Sequence, residues 1–241
     1  MQRSKFLLYH FFIPIFLLVL LSILVTVGDI DRIVTDYFYT IQENHWSLKE
    51  HWVTEYLIHR GGRILSISAA VVLLFLLLLS CFKHSLFPYR RTLTYLVVAA
   101  IGSSLLIGIL KSTLAVSCPW EFERYGGNIL YQTVFEQIFQ RTGKGCFPSG
   151  HASAGYAWLA LYFAGLYHQS WWRWIGLSVS LIAGTAFGVT QQLRGAHFLS
   201  HDIWSLGICW LFCCILFLFF FKQFILNPLS SKAYAYESSA T

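Results

Sequence analysis

The chain has 241 residues, of which 56% are hydrophobic and only 12% charged, with a mean hydropathy of +0.59. Soluble domains run at roughly 45–50% apolar and about 25% charged, so a soluble globular protein is excluded and a membrane protein is indicated. The formal net charge of +6 fits membrane topology and contact with anionic headgroups, and nothing in the chain suggests a nucleic-acid partner.

A hydrocarbon core about 30 Å thick needs roughly 20 mostly apolar residues per helix. Six stretches supply them, near 6–27, 64–82, 92–110, 150–167, 174–193 and 203–221. They predict an all-α, six-transmembrane-helix bundle forming a single domain over 1–226, followed by a polar, disordered tail over 227–241. The first stretch follows Arg3 and Lys5, but it is too long for a signal peptide and no small-residue cleavage site follows, so it is expected to stay as an anchor. The 28–63 segment is acidic and aromatic (Asp29, Asp31, Asp36, Tyr37, Tyr39, Trp46, Trp52). It is expected to be a solvated connector carrying a short interfacial helix in the first outer loop. The short loop from Lys83 to Arg91 carries three positive charges and no acid, which places both termini in the cytoplasm and the opposite border outside. Trp171, Trp172 and Trp174 fit an interfacial aromatic belt.

Six crossings bring the end of the third stretch, the start of the fourth and the end of the fifth to one membrane border. Lys111 stands at the first of these, Ser149, Gly150 and His151 at the second, and Arg194, His197, His201 and Asp202 at or just beyond the third. Of the six cysteines, only Cys118 and Cys146 lie outside the apolar segments. Cys81, Cys209, Cys213 and Cys214 are expected to be small packing residues.

Three of these groups resemble the signatures of the type 2 phosphatidic acid phosphatase (PAP2) family. Pro148-Ser149-Gly150-His151 is one signature intact, Lys111 opens a second, and the run from Arg194 to Asp202 is similar to the third. The resemblance covers about residues 100–210 and implies a fold of the PAP2/haloperoxidase-like type. It implies a metal-independent phosphatase that needs no cofactor. Its substrate would be a phospholipid or polyprenyl phosphate: undecaprenyl pyrophosphate, phosphatidylglycerol phosphate, phosphatidic acid or a lipid A phosphate. No protein partner is implied.

By the same resemblance, His197 is the nucleophile that becomes a phosphohistidine, and His151 is the general acid. The backbone N–H groups at the helix start of Ser149 and Gly150, with Lys111, would hold the phosphate. The family places an orienting Asp four residues after its nucleophile. Here that position is His201 and Asp202 follows, so either one orients His197, with the carboxylate preferred because it better stabilises an imidazolium. Cys118 stands where the first signature has an Arg, and Gln191 where the third has another. Arg194, one turn further on and on the same helix face, is the expected substitute, with Arg124, Arg141 and Lys144 as further loop cations. An extracytoplasmic compartment is oxidising, which makes Cys118 and Cys146 a candidate disulfide across the outer loop. The His and Cys spacings match no zinc pattern. The alternatives are a lipid phosphotransferase on the same scaffold and a non-catalytic headgroup-binding or transport protein.

Overall fold

Leucine, valine, isoleucine and phenylalanine dominate the long runs, and the helices they form turn many of those side chains outward and bury the rest in the core. The computed structural model describes residues 3–141 and 143–226. Among these, five helical segments are long and apolar enough to cross a membrane. They include α1 (Arg3–Val27) and α3 (Val53–Leu79), then α4 (Arg90–Leu114), α8 (Trp172–Leu193) and α9 (Leu199–Phe220). Between α1 and α3 runs α2 (Ile30–Thr40), and after α4 comes the short α5 (Val134–Gln140).

The stretch expected as one further crossing over 150–167 is helical in three pieces. These are α6 (Gly150–Tyr156), a 3₁₀ turn over Ala157–Leu159 and α7 (Ala160–Tyr167). The described part of the bundle is thus five continuous apolar helices and one segmented rod. The 227–241 tail lies outside the described residues.

The bundle is apolar outside, as a lipid solvent demands, and its interior mixes aromatic side chains such as Phe6, Tyr95, Phe163 and Phe217 with small and hydroxyl-bearing ones. Leu65 is 70% exposed and Ile182 70%, while Ser103, Ser180 and Ser205 are fully buried. Helix α9 is central and packs on α1, α4, α6, α7 and α8. The tightest pair is α6 with α8, and the cause is visible in the side chains. A Cβ on Gly155 would sit 2.3 Å from the Gly184 nitrogen, so only glycine lets these two backbones meet.

The 28–63 segment departs from the expected solvated connector. Asp31 in α2 accepts a hydrogen bond from the Ser200 N–H at 2.8 Å. It supplies the N-terminal cap that α9 lacks from its own residues. Helix α3 begins at Val53, eleven residues before the apolar run at 64. Its first turns, 53–60, are wound as a π-helix. Polar residues expected in a loop therefore belong to the wall of the bundle.

Candidate active site

Four helix ends converge at one border: the end of α4, the start of α6, the α8–α9 turn and the start of α3. Lys111 lies in the last turn of α4. Its Nζ is 4.0 Å from the position a Cβ on Gly150 would take, so the ammonium faces the N-terminus of α6. Ser149 caps that helix, its Oγ accepting from the Ala152 N–H at 3.4 Å, while its own N–H donates to the His201 carbonyl at 3.2 Å. The Ser149 carbonyl accepts from Ser205 Oγ at 2.9 Å. The start of α6 is thereby tied to α9 on both sides. Gly150 and His151 are left half-exposed at the mouth.

The loop leading into α6 is stitched to the chain leaving α4. Gly143 N–H donates to Ala115 O at 2.6 Å and Cys146 N–H to Val116 O at 2.7 Å. Cys118 and Cys146 are joined as a disulfide, with Cα atoms 5.3 Å apart. The position where a signature arginine was absent is thus occupied by one end of this covalent clamp.

His197 sits in the α8–α9 turn and is 3% exposed. The turn is held from several sides. Gln42 Nε2 donates to Leu193 O at 2.9 Å, Trp120 N–H donates to Gly195 O at 3.0 Å, and the Trp46 ring covers Gly195, whose φ of +71° suits glycine. Burial drives the His197 imidazole well below its ordinary pKa, with the His201, Lys111 and His151 charges pushing the same way. The ring is therefore held in its neutral form.

His197 Nδ1 meets His201 Nδ1 at 3.2 Å. Asp202, the preferred orienting group on sequence grounds, does not reach it. Its Oδ2 accepts from Gln192 Nε2 at 2.6 Å and lies where a Cβ on Gly188 would be, 2.6 Å away. One turn of α-helix separates positions i and i+4, so residue 201 faces residue 197 and residue 202 turns toward α8. When His197 Nδ1–H donates to His201 Nδ1, His197 Nε2 keeps its lone pair. The remaining His201 Nε2–H is then a buried donor, and that atom has no partner.

Arg194 is close to the site but engaged. Its Nε donates to Lys49 O at 2.9 Å, its Nη1 to Gln191 Oε1 at 3.3 Å, and its Nη2 pairs with Glu55. Gln191, in the other arginine position, is buried. Among the loop cations, Arg124 donates twice to Asp36, at 2.7 and 2.6 Å, and Lys144 pairs with Glu121 at 3.0 Å. Arg141 is exposed.

Three residues at the site were missed in the sequence: Glu55, His59 and Arg63. His59 Nε2 stands 2.5 Å from His151 Nε2. His59 Nδ1 is 3.1 Å from Glu55 Oε2, and Glu55 Oε1 also accepts from Arg60 Nε at 2.8 Å. A π-turn is wider than an α-turn, which lets one carboxylate face both i+4 and i+5. Arg63 lines the same small cavity as His59, His151 and Gln191. Glu55, His59 and Arg63 recur every four residues just before the apolar run, a polar face at a membrane border that could have been read directly. Among the described residues, no group of three or more His, Cys, Asp or Glu side chains is placed to hold a metal ion.

Several long apolar helices, with two imidazoles, a lysine and a capped helix start gathered at one of their borders, mark a multi-pass membrane protein. A family model described as the PAP2 superfamily matches residues 92–225, and the chain belongs to that superfamily. Its members generally hydrolyse phosphate esters. Comparison with curated proteins and with solved structures returns no significant match.

Proposed function

We propose that this chain is a metal-independent phosphatase of a lipid-linked phosphate or pyrophosphate, working through a phosphohistidine at the extracytoplasmic face of the cytoplasmic membrane. The observation that carries this reading is the buried, neutral His197 held Nδ1 to Nδ1 by His201, beside Lys111 and the start of α6. His197 Nε2 attacks phosphorus. Lys111 and the N–H groups at the start of α6 stabilise the charge on the transferring group, and His151 protonates the leaving oxygen. Water then releases phosphate and restores His197. Undecaprenyl pyrophosphate, phosphatidylglycerol phosphate, phosphatidic acid and lipid A phosphates all fit this chemistry.

The test is phosphate release from those four substrates in detergent micelles, with excess chelator. The expected result is chelator-resistant release from at least one, reduced by about 10³-fold or more in His197→Ala and about 10²-fold or more in His151→Ala. Release that chelator abolishes, or that His197→Ala retains, would overturn the reading.

A further inference from the structure

The contact between His59 and His151 belongs to no signature of the sequence, and its chemistry is restrictive. Two imidazole nitrogens 2.5 Å apart repel if both are protonated or both bare, so one proton lies between them. The other nitrogen of His59 is 3.1 Å from Glu55, so His59 is oriented by a carboxylate in the way that a general base is oriented in a catalytic triad. His151 Nδ1 has no hydrogen-bond partner among the described residues, and the residue is only half-buried, which leaves that nitrogen for a ligand.

The charges around the pair bear on where a cation can reside. Glu55 and Arg60 face His59 from its own helix, and Arg194 from the end of α8. Arg63, Lys111 and Arg194 all act on His151. A cation placed on His151 would meet Arg63, Lys111 and Arg194 with no carboxylate in contact among the described residues, whereas one on His59 meets Arg60 and Arg194 but has Glu55 at 3.1 Å against it.

We propose that His59, anchored by Glu55, is a positioning residue for His151 that feeds it the proton destined for the leaving oxygen. This rests on the phosphohistidine reading above. As the phosphorus–oxygen bond breaks, its electron pair goes to the leaving oxygen, which takes the His151 Nδ1 proton. His151 Nε2 takes the His59 Nε2 proton, so His151 stays neutral and the His59 imidazolium becomes neutral. In the second step water gives a proton to His151 Nδ1, the Nε2 proton returns to His59, and the hydroxide displaces His197 from phosphorus. Protons and charges balance over the cycle.

The experiment compares wild type, His59→Gln, Glu55→Gln and His197→Ala. Two substrates are used: the phosphomonoester lipid that the wild type hydrolyses fastest, and 4-nitrophenyl phosphate, whose leaving oxygen departs without a proton. His59→Gln is expected to lower kcat on the lipid about 10²-fold, with KM within about threefold, and to recover most of that loss on the aryl ester. In Glu55→Gln the alkaline limb of the kcat profile moves to lower pH, because a neutral amide holds the His59 proton less firmly than a carboxylate. Unchanged kcat and pH profile in His59→Gln would overturn the proposal, and so would an equal loss on both esters, the mark of a purely structural role. His197→Ala is expected to be inactive on both. Activity retained there would sink the phosphohistidine reading and the relay together, whereas an inactive His197→Ala beside a normal His59→Gln would sink the relay alone.

Discussion

In the proposed mechanism, His201 in place of a carboxylate changes what the nucleophile can expect from its partner. A carboxylate accepts Nδ1–H and also balances the positive charge that grows on the ring during attack, whereas a neutral imidazole offers only the lone pair. Orientation is thus preserved and charge compensation is reduced. His201 and Asp202 consequently make separable contributions. His201→Ala removes the acceptor and is expected to lower the rate of chelator-resistant phosphate release per folded molecule about 10–100-fold, and, because the ring is fully buried against Phe147 and Phe198, to lower the melting temperature in detergent as well. Asp202→Ala loses the buried bond from Gln192 and leaves that amide unpaired, a cost of about 1–3 kcal/mol. Its melting temperature is expected to fall, with the surviving folded fraction still active. The converse pattern, with a stable but inactive Asp202→Ala and an active His201→Ala, would return the orienting role to the carboxylate.

At the scale of elements, α2 shows how a segment that looks like a connector becomes structural. Burial against α9 raises the Asp31 carboxyl to about 6, although the hydrogen bonds from Ser200 oppose the shift. The folded state therefore holds this proton more tightly than the unfolded chain does. Stability linked to Asp31 is full below about pH 4 and is lost as pH rises through about 6, by about 3 kcal/mol at most. Asp31→Asn keeps an acceptor oxygen for Ser200 but cannot titrate, so the fall in melting temperature between pH 4 and pH 7 is expected to be smaller than in wild type; identical slopes would show that Asp31 is not the titrating group. The same stretch explains what the sequence left hidden. Hydropathy marks a helix where the run is apolar, so the start of α3 disappeared behind Glu55, His59, Arg60 and Arg63, and the second helix was expected eleven residues late. The helix start at Ser149 and Gly150 and the meeting of Lys111, His151 and His197 at one border were legible, because each sits at the end of a long apolar run, whereas the Ser149 cap was not. The rotation that puts His201 rather than Asp202 on His197 depends on where α9 begins, and the 3₁₀ turn inside 150–167 depends on packing against α8. Neither leaves a mark in periodicity.

The whole molecule segregates its chemistry: polar side chains gather at the border where α4 ends and α6 begins, while the opposite border carries Lys83, Arg90 and Arg91 on the short loop before α4. A short, purely basic loop favours the cytoplasmic side, and the proposed function accordingly puts the His197 border outside. The free thiols offer a direct measurement of this orientation. Cys81 follows the end of α3 on the basic border and is exposed, whereas Cys209, Cys213 and Cys214 are buried and Cys118 is joined to Cys146. Among the described residues, Cys81 is therefore the one thiol a membrane-impermeant maleimide can reach. Intact cells are expected to give no labelling, inside-out membrane vesicles are expected to label, and Cys81→Ser is expected to remove that signal. Labelling of Cys81 in intact cells without reductant would invert the orientation. The His197 site would then face the cytoplasm, where thiols are kept reduced, and a Cys118–Cys146 bond could not be maintained there.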